Sequence, residues 1–94
     1  MKTLHFSSTE IDFDFNAAMK LATAVATDMI GENMLLSWYD RDRDLESPRG
    51  ASECHEGCPT KGYWDYGLNH GGKLAVNFEQ GRFVFCFLPL AEFA

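Results

Sequence analysis

The chain has 94 residues, 46% of them hydrophobic and 23% charged, with a formal net charge of −6 and a pI near 4.8. That length suits a single domain, and the composition argues against global disorder. The acidic balance disfavours nucleic acid and anionic membrane surfaces, both of which attract clustered Lys and Arg, and no run approaches the roughly 20 apolar residues that cross a bilayer.

Leu4 and Phe6 fit a short strand. Glu10–Phe15 alternates Ile11, Phe13 and Phe15 against acidic residues, the period of a second, half-buried strand. A helix is predicted over Asn16–Ile30, with Ala18, Leu21, Ala22, Val25 and Met29 as its apolar face. Asp14 suits the N-cap, and Gly31 the position that ends the helix. Met34–Tyr39 reads as a strand, with Met34, Leu36 and Trp38 on one side and Leu35, Ser37 and Tyr39 on the other.

A polar excursion, Asp40–Tyr66, separates this strand from the rest, with a short helical piece near Trp64–His70. Lys73–Phe78 turns Leu74, Val76 and Phe78 inward. It forms a hairpin with Arg82–Leu88 across a three-residue turn, Glu79-Gln80-Gly81. Arg82–Leu88 is apolar on both faces, as a covered or central strand is. The expected fold is therefore α+β, one principal helix on a small, mainly antiparallel sheet of three to four strands, in a single domain over 1–94 with a long polar loop at 40–66.

The excursion is where function is expected, because long loops in small domains are mostly functional or disordered. Cys54-His55-Glu56-Gly57-Cys58 offers two thiolates and an imidazole, which suit zinc. One cluster lacks the second pair of a structural zinc site, and Cys54 packed as a small hydrophobe would leave His55 and Glu56 in water. The Cys54–Cys58 spacing is one residue longer than a redox CxxC. Neither metal nor cofactor is therefore expected, with Cys54, His55 and Cys58 as the metal candidates if one is bound.

Asp40, Asp42 and Asp44 alternate with Arg41 and Arg43, a pattern of solvated ion pairs more often than of acid–base catalysis. Asp40 is the exception to watch, since it follows the apolar Trp38-Tyr39. Asn69-His70-Gly71-Gly72 reads as a turn into the hairpin. Neither Ser37 nor Ser47 has an evident base partner, and no nucleophile elbow, Rossmann or EF-hand pattern is present. The candidate ligand-binding set is Trp38, Tyr39, Asp40, Cys54, Trp64, Tyr66 and His70.

IDFDFNAAMKLA, LLSWYDRDRDLESP, Cys54, GYWDYG, GGKLAV and GRFVF together resemble a small family of uncharacterised prokaryotic proteins, a domain of unknown function, from about Ile11 to Phe87. The resemblance carries no activity with it. It implies that Ser37, Trp38, Tyr39, Asp40, Ser47, Pro48, Cys54, Trp64, Tyr66, Gly67, Gly71 and Gly72 belong to one pattern, from which His55 and Cys58 depart.

The leading expectation is a cytoplasmic, non-enzymatic binding or assembly module that forms a homodimer through its surplus apolar surface. The alternatives are a metal or thiol protein using Cys54, His55 and Cys58, and a small-molecule enzyme built around Asp40, Cys54 and His70. The cytoplasmic reading rests on the lack of an apolar leader in the opening residues and on the odd cysteine count.

Overall fold

The computed structural model describes residues 1–8, 10–48 and 62–90. Five strands and two helices follow in the order β1 (Lys2–Phe6), α1 (Phe15–Ile30), β2 (Asn33–Asp40), β3 (Leu45–Ser47), α2 (Gly62–Asn69), β4 (Leu74–Phe78) and β5 (Phe83–Pro89). The fold is α+β, as the sequence implies. Among the described residues the sheet has five strands rather than three or four, in the order β1-β4-β5-β2-β3. β1 pairs parallel to β4, and the other ladders are antiparallel.

The fifth strand is β3, hidden from sequence reading because it has only three residues inside the polar excursion. Asp40 and Leu45 are cross-strand partners, so Arg41–Asp44 forms a hairpin turn rather than the start of a long loop. Asp44 closes that turn at φ 52°, a left-handed conformation in which Asp is enriched.

Glu10–Asp14 is not a strand. Its acidic residues have no neighbouring strand to pair with, and Ile11 stands 62% exposed. Phe13 and Phe15 nevertheless pack against the core, and Phe15 opens α1.

The buried face of α1 shares Ala18 and Ala22 with the predicted one and is rotated from it at Met29. Ala18, Ala22 and Ala26 are fully buried against Leu74, Val76, Phe78, Phe83, Phe85 and Phe87, with Met19, Leu21 and Ile30 at the flanks. Met29 is 53% exposed. The sheet supplies the bulk through phenylalanines, so the helix approaches with methyl groups. An i, i+4, i+8 stripe of alanines is the closest seat, and it rotates Met29 outward.

Asp14 caps α1, its Oδ1 accepting from Ala17 N at 2.7 Å. Gly31 ends it at φ 74°, its N–H donating to Thr27 O. Asp14→Ala is expected to lower stability by about 1 kcal/mol, read as a shift of the denaturant midpoint at unchanged slope.

β2 also departs from simple alternation. Leu35 faces Phe87 and Ser37 faces Cys86, so Leu36 is the extra residue of a β-bulge. Leu35 and Trp38 therefore both pack on the α1 side, while Ser37 and Tyr39 occupy the other face. A bulge opposes two residues to one and resets which face each later side chain meets.

β4 and β5 form the expected antiparallel hairpin. The connection is four residues, Glu79–Arg82, with Arg82 N donating to Phe78 O at 2.9 Å. Glu79, Gln80 and Gly81 all take positive φ. Gly81 N is held by Asn77 Oδ1 at 2.7 Å. Each of Phe83–Phe87 is at most 1% exposed, so β5 is the covered central strand that its two apolar faces imply.

No helix among the described residues is long and apolar enough to cross a membrane.

Candidate functional site

The second face of the sheet is covered by α2, the helical piece expected near Trp64–His70. It lies chiefly on β2, with lighter contact to β3 and β5. Ser37 Oγ donates to Tyr63 O at 2.7 Å and so ties the first turn of α2 to β2. Tyr63 lays its ring on Tyr39, centroids 5.1 Å apart and 3° from parallel.

One turn on, Gly67 lets the helix touch the sheet. A Cβ there would stand 3.0 Å from Cys86 Cβ and 3.1 Å from Ser37 Oγ. Gly72 N–H donates to Gly67 O at 2.8 Å and turns the chain toward β4.

This face holds a small polar and aromatic cluster: Ser37, Tyr39 and Cys86 beneath, Tyr63 above, and Glu46 on β3 directly opposite Tyr39. Ser37 and Cys86 are 1% and 0% exposed. Burial pushes the Cys86 thiol up, against a smaller downward pull from its hydrogen bond with Ser37. Burial first, then the neighbouring Cys86, Tyr39 and Glu46, push Tyr63 up to about 12. Oε1 of Glu46 is buried and has no hydrogen-bond partner.

The Tyr63 shift has a sign that can be tested. An unfolded tyrosine loses its proton near 10.0, whereas the folded one keeps it to about 12. Between those values the unfolded state binds fewer protons, so this contribution is whole below pH 10 and disappears as pH rises toward 12. Alkaline denaturant melts of the wild type are expected to fall through that window, and Tyr63→Phe to flatten the fall. Equal slopes would remove Tyr63 from the buried cluster.

The candidate residues read from the sequence do not share one concave site. Trp38 packs edge-on against Phe15 at 4.9 Å, on the α1 side of the sheet. Asp40 is two residues further along β2 and is 1% exposed. Its carboxylate accepts from Arg43 N and pairs with Arg43 Nε, and the Arg43 guanidinium lies 4.9 Å from the Phe15 ring centre. Asp40 thus braces the β2–β3 turn from the α1 side.

Tyr39 and Trp64 lie on the α2 side, Trp64 edge-on to Tyr63 at 6.4 Å. Tyr66 stacks on the exposed His70 at 3.9 Å, and His70 Nδ1 is 2.9 Å from Tyr66 O. The sheet separates the Trp38–Asp40 group from the Tyr39–Trp64 group, so a pocket walled by all of them does not form. Cys54, His55 and Cys58 lie outside the described residues. Among the described residues, no three His, Cys, Asp or Glu side chains gather as a metal site.

Ser37, Glu46, Tyr63 and Cys86 are the members of the cluster missing from the candidate set. Glu46 was legible only after β3 was known, because its partnership with Tyr39 depends on the hairpin register. Cys86 reads as core from sequence, and buried it is.

A second electrostatic knot stands apart. Arg82 binds Asp42 through Nε at 2.8 Å and through its terminal nitrogen at 2.6 Å, and binds Asp12 at 2.9 Å. The hydrogen bond from Arg82 is the main cause holding the Asp42 carboxyl below its ordinary value, and Arg82 is itself raised. This knot ties both hairpin turns to the segment before α1, a bracing role for the acidic strip.

Fold and site together define a two-faced α+β domain, with an alanine-faced helix on one side of a five-stranded sheet and a short glycine-seated helix on the other. The chain belongs to the family described as Domain of unknown function (DUF5619), whose model matches residues 1–87. Among solved structures it is similar to AF1514 from Archeoglobus fulgidus DSM 4304, described as a novel non-family-model protein, with a TM-score of 0.75, 23% identity and 98% of each chain covered. At that identity the likeness shows the fold alone. No curated protein matches the sequence.

Proposed function

We propose that this protein is a non-enzymatic binding or assembly module that associates with a second copy of itself. One observation carries the reading: an apolar strip remains open beyond the end of α2. Met34 pairs with Leu88 across β2 and β5, and Leu90 extends that ladder by donating its N–H to Glu32 O at 2.8 Å. Met34 and Leu90 are 47% and 50% exposed, and Leu68 on α2 is 49% exposed. The strip is small, because both faces of Phe83–Phe87 are covered within the chain.

The chemistry of the α2 face supports the non-catalytic part. A thiol raised by burial is a poor nucleophile. A phenol raised toward 12 is not a base near neutrality. The Ser37 hydroxyl is engaged on a backbone carbonyl, where no base can activate it. A free, buried Cys86 also fits a reducing compartment such as the cytoplasm.

A two-fold dimer is the commonest closed assembly, and a stable one buries at least about 1,200 Å2 in total. Sedimentation at micromolar concentration is expected to give twice the 10.6 kDa chain mass, and Leu90→Asp to return it to one. A wild-type protein that sediments as a single chain ends the assembly reading. Elemental analysis finding one zinc per chain, lost in Cys58→Ser, would replace the whole reading with the metal alternative.

A further inference from the structure

We propose that the α2 face carries a binding site for a small organic ammonium group, held by the Glu46 carboxylate beside the stacked rings of Tyr39 and Tyr63. This site is separate from the apolar strip, so its fate and that of self-association are independent.

Glu46 sits directly across from Tyr39 in the β2–β3 ladder, and directly opposite residues on a sheet point to the same face. The carboxylate is therefore on the α2 side, near enough to Tyr63 to act on its ionisation. Its Oε1 is buried and accepts no hydrogen bond. A buried charged acceptor left unmade is among the more costly defects a fold can carry. Two described arginines of the hairpin turns are engaged elsewhere, Arg43 on Asp40 and Arg82 on Asp12 and Asp42.

Three features specify the ligand's head group. The unpartnered atom is an anionic acceptor, which calls for a charged donor. It is one oxygen, which suits the point charge of an ammonium better than the two-pronged guanidinium fork. Its cross-strand neighbour Tyr39 stacks on Tyr63, and the faces of aromatic rings attract cations. Tyr63 stays a neutral phenol, so Glu46 does not share its ligand with a second anion. Glu46 as a whole is only partly buried, so the ligand approaches along its exposed part and displaces the side-chain cover over Oε1.

The test compares three probes with one tail: n-butylammonium, n-butylguanidinium and n-butanol. Each is titrated into the full chain at physiological ionic strength, where unspecific attraction to an acidic surface is screened, while backbone amide resonances are followed. Butylammonium is expected to shift the amides of Tyr39, Glu46 and Tyr63 saturably, at least about tenfold more tightly than either other probe, a difference of about 1.4 kcal/mol.

Glu46→Gln keeps the shape and removes the charge, and is expected to weaken butylammonium at least about tenfold. Glu46→Asp, with the charge drawn back, serves as the second variant if Glu46→Gln does not fold, and is expected to weaken binding severalfold. Glu32→Gln, an exposed carboxylate elsewhere, is expected to change nothing. Non-saturating shifts scattered over the exposed carboxylates, equal binding of butanol or butylguanidinium, or undiminished binding in the Glu46 variants would each overturn the site.

Discussion

Phe85→Ala is expected to lower the unfolding free energy by about 3–5 kcal/mol, the range for truncating a buried aromatic and leaving a cavity. Phe85 is fully buried. Its ring lies 5.4 Å from that of Phe15 and 6.0 Å from that of Phe78, and its cross-strand partners are Val76 and Trp38. It therefore joins the first turn of α1 to both strands that flank β5. Neighbours on three sides are fixed by their own ladders, so little collapse into the hole is available. Denaturant melts measure the loss directly. A loss below about 1 kcal/mol would mean that the centre of the core lies elsewhere.

Gly67→Leu should damage the other face selectively. The first carbon of any side chain at this position already meets Cys86 Cβ at 3.0 Å and Ser37 Oγ at 3.1 Å, and both belong to central strands that cannot retreat. Overpacking of this kind costs about 1–3 kcal/mol. The helix can escape the clash by lifting from the sheet, which breaks the Ser37–Tyr63 hydrogen bond and separates the Tyr39–Tyr63 stack. The distinguishing result is spectroscopic: Tyr63 should titrate back toward 10.0, its ordinary value, while the alanine-faced core retains its amide protection. A variant in which both faces loosen together would show that α2 and α1 stabilise one cooperative unit.

The principal elements of the fold were legible because their signals are local and redundant. Asp14, the helical spacing through Ile30 and Gly31 mark both ends and the length of α1. Double-sided apolar alternation marks β5. What the sequence concealed depends on partners distant along the chain. The seat of α1 was displaced because phenylalanines on β4 and β5 supply the volume, so the smallest helical residues, rather than the largest, face inward. The β2 bulge at Leu36 has no residue signature, and it alone moves Leu35 to the same side as Trp38.

The candidate site fared less well for the same reason. Adjacent residues of a strand point to opposite faces, so Trp38-Tyr39-Asp40 reads as one cluster in the sequence and is divided by the sheet in space. Glu46 carries no signal of its own in the sequence, and only the short β3 places it across from Tyr39. The strip of Asp and Arg from residue 40 to 44 was read as solvated ion pairs. Asp42 fits that reading through its pair with Arg82, and Asp40, the exception marked by the apolar Trp38-Tyr39 before it, is buried and braces a turn.

The order of strands across the sheet has a consequence for how the chain acquires its structure. β5 occupies the middle of the sheet and is the last strand of the described chain, while its neighbours β2 and β4 do not touch each other. During synthesis no two of β1, β2 and β4 can be joined into a common sheet before β4 meets β1 across some 70 residues, and β2 stays isolated from both until Phe83–Pro89 has left the ribosome. Loop closure over such separations slows folding. The aromatic face that α1 covers cannot be assembled piecewise, and a nascent chain stopped at Gly81 would hold two half-sheets with no strand to join them. Assembly of the sheet should thus wait for β5, as one late event set off by the strand that lies between β4 and β2.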